Sequence, residues 1–163
     1  MSEKEMIAEI TEQTDRGAAI VAFSYLEDTL TKAIQSHLLN RKYKGEIIRN
    51  TLFRGAGPLA TFSARRRLAY LLGFFGPKTY NDLERLAHIR NEFAHIHSRR
   101  SFKSQRIRGL CEALTTPVTK GYTSHPSELD ARTLYTTTIM YICGVLGVVA
   151  KRDAHPTRES VLP

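Results

Sequence analysis

The sequence lacks the motifs by which many small enzymes and DNA-binding modules are recognised. Its only thiols are Cys111 and Cys143, and no C-x-x-C pair suggests a zinc ribbon or a redox centre. The segment Gly55-Ala56-Gly57-Pro58 has no Gly-Lys-Ser/Thr sequence after it, which a phosphate-binding P-loop requires. A helix-turn-helix with a basic recognition helix is also missing. We therefore expect no metal, no cofactor and no standard DNA-reading module.

Long apolar runs are also scarce. Residues 139–150 are almost wholly apolar, but a membrane-spanning helix needs about 20 such residues. The charged N-terminus is followed by no apolar stretch, so no secretory signal is expected. Two widely spaced cysteines in apolar contexts are typical of reduced thiols in the cytosol. The sequence therefore predicts a cytoplasmic protein without a membrane span.

What the sequence does contain indicates one all-α domain. The chain has 163 residues, of which 42% are hydrophobic and 25% are charged, and this composition is typical of a folded domain with its own core. Apolar residues recur at spacings of three and four, and no alternating pattern persists. We expect a bundle of about six or seven helices over residues 1–152, followed by a disordered C-terminal tail at 153–163.

Two helix starts can be placed from capping residues. Asp15 is the predicted N-cap of a long helix, and Ser63 is the predicted N-cap of a later one. The later helix carries Arg65, Arg66 and Arg67 in its first turns, where cations oppose the helix dipole. These arginines therefore need a compensating partner, either a carboxylate within the fold or an anion from outside.

The overall charge favours a polyanionic partner. The formal net charge is +8, and lysine and arginine bind phosphates with release of counterions. Our candidates for contacts to nucleic acid, with RNA as the partner, are Arg65, Arg66, His97, Arg99 and Arg100. A basic but inert surface is the alternative.

Arg90 is the most informative single residue. It falls on or beside the apolar stripe of its helix, and burying an unpaired charge costs several kcal/mol. Glu27 and Asp28 of the long second helix are the candidate partners. His95 lies about 140° around the helix from Arg90. The two side chains converge only if the helix ends or distorts near Ala94, or if a second subunit completes the site.

A polar stripe runs along the same helix. His88, Asn91, Glu92 and His95 follow one another at spacings of three and four, so they share one face. Two histidines with a carboxylate between them could be imagined as zinc ligands, but zinc sites more often pair histidines four residues apart. We expect no metal here.

Several segments resemble the mannitol operon repressor family over roughly residues 10–150. The similar segments are 15–19, 57–65, 68–73, 89–95 and 101–102. The resemblance implies an all-helical fold and a family name based on transcriptional repression. It points to a non-catalytic regulator that works through protein partners, among them a protein from the same operon.

Residues 90–95 also resemble the Arg-x-x-x-x-His motif of HEPN domains, which are helical bundles, often dimeric, and in many cases metal-independent ribonucleases. This resemblance implies that Arg90 stabilises developing phosphate charge, that His95 is a general acid or base, and that Asn91 orients them. Some HEPN toxins have a tyrosine two residues after the histidine, where this chain has His97.

Two functions follow from these resemblances. The first is an endoribonuclease or RNA-directed toxin that acts as a homodimer, and the second is a regulator of the repressor family without catalysis. An antitoxin-like or chaperone-like helical partner is a third possibility. Structurally, Arg90 and His95 could equally hold the bundle together. Gly144 and Gly147 of the last helix indicate either close core packing or an interface with a second copy.

Overall fold

Seven helices make up the regular structure of the residues that the computed structural model describes, which are 3–38, 45–95, 100–116, 125 and 128–152. The described residues form no strand, so the predicted all-α fold is confirmed. The expected tail, 153–163, lies outside them. In chain order the helices are α1 (Glu3–Glu12), α2 (Asp15–His37), α3 (Gly45–Phe53), α4 (Phe62–Leu71), α5 (Pro77–Ala94), α6 (Gln105–Glu112) and α7 (Ala131–Arg152).

Helices α2 and α7 form the centre of the bundle. They pack along each other, and α2 also packs against α1, α4 and α5, while α6 packs against α5 and α7. Their inward positions carry the apolar side chains spaced by three and four in the sequence. The largest fully buried side chains include Phe23, Leu26, Leu86, Phe93 and Tyr135.

The start of α2 differs from the predicted one. Thr14 is the N-cap, and its side chain accepts a hydrogen bond from the backbone N–H of Gly17. Asp15 lies one residue later and makes longer-range contacts instead. It accepts the backbone N–H of Phe102 at 3.0 Å and pairs with Arg132 at 3.2 Å. The prediction of Asp15 as N-cap was wrong because its carboxylate connects α2 to α7 and to the segment before α6.

Helix α4 also begins earlier than predicted. Thr61, two residues before the predicted Ser63, caps α4 by accepting the N–H of Ala64. Helix α5 begins at Pro77, since a proline in the first turn loses no intrahelical hydrogen bond and has its φ already near the helical value.

Helix α7 is the one described helix that is long and apolar enough to cross a membrane by length and composition alone. Its inward face is buried in the centre of the bundle at Leu134, Tyr135, Ile139, Ile142 and Leu146. A central core helix passes the same test of length and composition. We interpret α7 as the core helix of this bundle.

Candidate functional site on helix α5

Two of the three arginines in the first turns of α4, Arg65 and Arg66, have carboxylate partners within the fold. Arg65 lies 3.6 Å from Glu27. Arg66 is only 5% exposed, stacks over the ring of Tyr80 and donates a hydrogen bond of 3.0 Å to Glu84. The expectation of a compensating partner is therefore confirmed for these two arginines, with internal carboxylates in that role.

Arg66, a predicted contact to nucleic acid, is thus engaged within the fold. Its guanidinium is held between Glu84 and the aromatic face of Tyr80, so it is not available to a phosphate at the surface. Arg65 is mostly buried and also donates hydrogen bonds within its own fold. The hydrogen bond from Arg66, together with its positive charge, lowers the pKa of Glu84.

Arg90 points from α5 towards α2 and has an aromatic partner. Its guanidinium carbon lies 4.8 Å from the centre of the Phe23 ring. The predicted carboxylate partners lie elsewhere, because Glu27 pairs with Arg65 and the exposed Asp28 lines a groove between α2 and α7. Among the described residues Arg90 has no ion pair, and the negative face of a ring compensates its charge instead.

The surroundings of Arg90 belong to the hydrophobic core. The rings of Phe93 and Phe102 are 4.7 Å apart, and those of Phe102 and Tyr135 are 5.5 Å apart. Tyr135 is fully buried, donates its hydroxyl proton to the carbonyl of Ala19, and has a pKa that burial raises well above its usual value. The Nε of Arg90 is buried without a hydrogen-bond partner among the described residues.

The opposite side of α5 forms a polar groove with α6. Glu92 makes ion pairs with Arg100 and with Arg106, the latter at 2.9 Å. The predicted nucleic-acid contact Arg100 is therefore already paired within the fold. The groove has a volume of about 430 Å³ and is lined by His88, Asn91, Glu92, Arg106, Gly109 and Leu110. We call these six residues the α5–α6 groove.

His95 is the first residue after α5. The helix ends at Ala94, whose carbonyl accepts a hydrogen bond of 3.3 Å from Arg16, and the His95 side chain is exposed. The expected end of the helix near Ala94 is thus observed. Arg90 lies over the ring of Phe23 and Asn91 lines the groove, so these two residues, about 100° apart around α5, have different surroundings. The predicted contacts His97 and Arg99 lie outside the described residues.

The described residues contain no group of three or more histidine, cysteine, aspartate or glutamate side chains placed to hold a metal. The two cysteines are buried and unpaired by disulfide. Burial raises the pKa of the Cys111 thiol to about 12, which makes it a poor nucleophile near neutral pH.

Sequence reasoning missed two residues of α5 and α6 that organise this region. Arg106 completes the charge cluster around Glu92, but an exposed arginine on a short helix gave no signal in the sequence. Asp82 is fully buried and accepts hydrogen bonds from the backbone N–H groups of Thr115 and Thr116 and from both hydroxyls. Its polar side chain among the apolar positions of α5 was a signal that could have been read.

The fold and the site together define an all-helical domain in which the Arg-x-x-x-x-His segment lies partly in the core and partly along a surface groove. The family model described as mannitol repressor (MtlR) matches residues 2–141. The chain belongs to the mannitol repressor family.

Two solved structures show the same fold. A chain of the X-ray structure of the MtlR–HPr complex from Escherichia coli matches with a TM-score of 0.65 and 20% identity, over 88% of this chain and 96% of that chain. A possible transcriptional regulator, YggD from Shigella flexneri, matches with a TM-score of 0.71 and 15% identity, over 90% of this chain and 97% of that chain. A search of curated proteins found no match.

Proposed function

We propose that this chain is a regulator of the mannitol repressor type that acts in the cytoplasm by binding a protein partner. The family match over residues 2–141 carries this proposal. The complex of a similarly folded MtlR with HPr supports a protein as the partner, and the HPr-type protein of the same cell is the first candidate. Control of transcription then depends on the complex and not on a DNA-reading module within this chain.

We place the contact with the partner at the α5–α6 groove. His88, Asn91 and Arg106 are exposed there, and Arg106 retains 72% of its side-chain exposure while paired with Glu92. Their N–H groups provide directional donors at the rim of a shallow depression, and arginine is enriched in protein interfaces. The buried side of α5 fixes the position of these groups, so the groove is held in shape before a partner arrives.

The test compares the affinity of three proteins for the purified HPr-type partner by biolayer interferometry. Arg106→Ala combined with Asn91→Ala should weaken binding by about tenfold or more, equivalent to about 1.4 kcal/mol. The matched control is Arg108→Ala, which removes an exposed arginine of the same helix from outside the groove and should leave binding unchanged. Equal affinities for all three proteins would place the contact elsewhere, and no binding by the wild-type chain would reject this partner.

The ribonuclease hypothesis has less support. It requires Arg90, Asn91 and His95 to act on one phosphodiester, whereas Arg90 stacks on Phe23 and Asn91 lines the α5–α6 groove. RNA as partner, the toxin activity and the homodimer therefore stay predictions. Incubation of pure protein with cellular RNA in EDTA should leave the RNA intact, and cleavage that is lost in His95→Ala would revive the nuclease.

A further inference from the structure

The outward face of α7 is uncharged over residues 133–150, and its C-terminal half, from Met140 onwards, is also apolar. Only 39% of the most apolar stretch of α7 is buried inside the bundle. Residues 133–150 contain no charged side chain, in a chain whose net charge is +8. Val148 is 50% exposed, and Gly144, one turn earlier on the same face, is exposed as well.

This outward face is a ridge with a groove on either side. One groove, of about 540 Å³, lies between α2 and α7, with Val21, Tyr25, Gly147 and Ala150 among its walls. The other, of about 170 Å³, lies between α7 and the segment joining α4 to α5, with Phe75 and Val145 as well as Tyr141 in its walls. Helices associate when the ridge of one enters a groove of another. A surface that carries both is complementary to itself.

Charge also favours an identical partner at this face. Two chains of charge +8 repel each other over most of their surfaces, but the uncharged face of α7 brings no like charges together. Glu9, Asp28 and Lys32 border the groove between α2 and α7, so two carboxylates stand against one ammonium there, while the exposed Lys151 follows the ridge. In a two-fold arrangement, Lys151 of each copy approaches the acidic border of the other.

The two glycines allow close approach of a second backbone. A Cβ atom added at Gly144 or Gly147 meets nothing within 4 Å in the monomer, so glycine is not required there by the chain's own packing. Glycine in a helix interior lowers its stability by roughly 0.5–1 kcal/mol relative to alanine. A contact with another helix across this face accounts for both positions.

We propose that the outward face of α7 is the interface with a second copy of this chain, with the two α7 helices crossing near Val148. The dimer is independent of the proposed binding of an HPr-type protein at the α5–α6 groove. It assigns Asp28 to the border of the subunit interface.

Sedimentation equilibrium of the purified full chain tests the proposal. The wild type should be a dimer, and Val148→Asp should raise the dissociation constant by about tenfold or more, because it places a charge in the contact of both copies. The control, Leu71→Asp, changes a side chain that is 81% exposed on α4 and should leave the dimer unchanged. Thermal melts of both variants establish that each one folds.

Gly144→Ala provides a second test that does not add charge. It should weaken the dimer while the monomer melts at the same or a higher temperature, since alanine favours the helix. A monomeric wild type, or a dimer that Val148→Asp and Gly144→Ala leave intact, would overturn the proposal. If the wild type is monomeric and Val148→Asp abolishes its binding to the HPr-type protein, the outward face of α7 belongs to that partner and not to a second copy. A Val148→Asp monomer that still binds the HPr-type protein supports both proposals.

Discussion

A cation at the edge of a hydrophobic core needs a compensating group, and Arg90 has the face of Phe23. The stem of an arginine packs well against apolar side chains, so the residue contributes to stability through both its stem and its charge. The exposed His95, by contrast, lies beyond the end of the helix. The two residues of the motif therefore differ in what their removal should do.

Arg90→Ala should lower the free energy of unfolding by about 1–2 kcal/mol, through lost stacking and packing. His95→Ala should lower it by less, since the side chain is exposed. Urea denaturation measures both. Arg90→Met is the matched control and should lose less, because it keeps an apolar stem of similar length. Equal stability of the two alanine variants, together with loss of an RNA-cleaving activity in both, would contradict this account.

The thiols should be unreactive in the folded protein. Burial raises the pKa of Cys111 to about 12, so it stays a thiol near pH 8, and Cys143 is buried away from a reagent in solution. Labelling with a chromogenic disulfide should therefore be slow in buffer and complete in denaturant. Rapid stoichiometric labelling of Cys111 in the native protein would show that its surroundings open readily.

At the level of elements, polar side chains connect helices that are distant in sequence. Asp15 joins α2 to α7, Arg66 joins α4 to α5, and Asp82 holds the segment after α6. The spacing of the apolar residues predicted the helices. It did not predict these connections, because the register of one helix against another cannot be read from the sequence. The capping errors at Asp15 and Ser63 have a local origin, since the neighbouring Thr14 and Thr61 accept the backbone N–H groups instead.

Asp82→Ala should be among the most destabilising single changes in α5. It removes the acceptor of the buried Thr116 N–H, at 2.8 Å, and of the Thr115 N–H, and an unsatisfied buried donor costs about 1–3 kcal/mol. We expect a loss of about 2–3 kcal/mol in urea denaturation. Asp82→Asn, which keeps one carbonyl oxygen, should lose less. A fully stable Asp82→Ala protein would mean that water replaces the carboxylate.

The link between α4 and α5 should depend on pH. The hydrogen bond from Arg66 lowers the pKa of Glu84 below its ordinary value of 4.5, so the folded state favours the carboxylate. This contribution is complete above pH 4.5 and is lost as the pH falls through the lowered pKa. The melting temperature of the wild type should therefore be higher than that of Glu84→Gln at neutral pH. The difference should be modest, because Glu84 is half exposed. The difference should shrink in acid, and a constant difference would contradict the assignment.

For the whole molecule, the sequence was sufficient for the helical bundle and for the family, because both depend on patterns distributed along the chain. It was insufficient for the site. The motif from Arg90 to His95 has the residues of a nuclease, but the packing of α5 directs Arg90 to the core and Asn91 to the surface. Two consecutive residues of a helix have different surroundings. Only the contacts of the helix with its neighbours show which residue faces the core and which faces the solvent.

Hydrogen–deuterium exchange of the chain, with and without the purified HPr-type protein, tests most directly whether the chain binds that protein at the α5–α6 groove. We predict slower exchange in α6 (Gln105–Glu112) and in the second half of α5 when the partner is present, with α3 (Gly45–Phe53) unchanged. Exchange that is the same everywhere at saturating partner would contradict the claim that this chain acts through that protein.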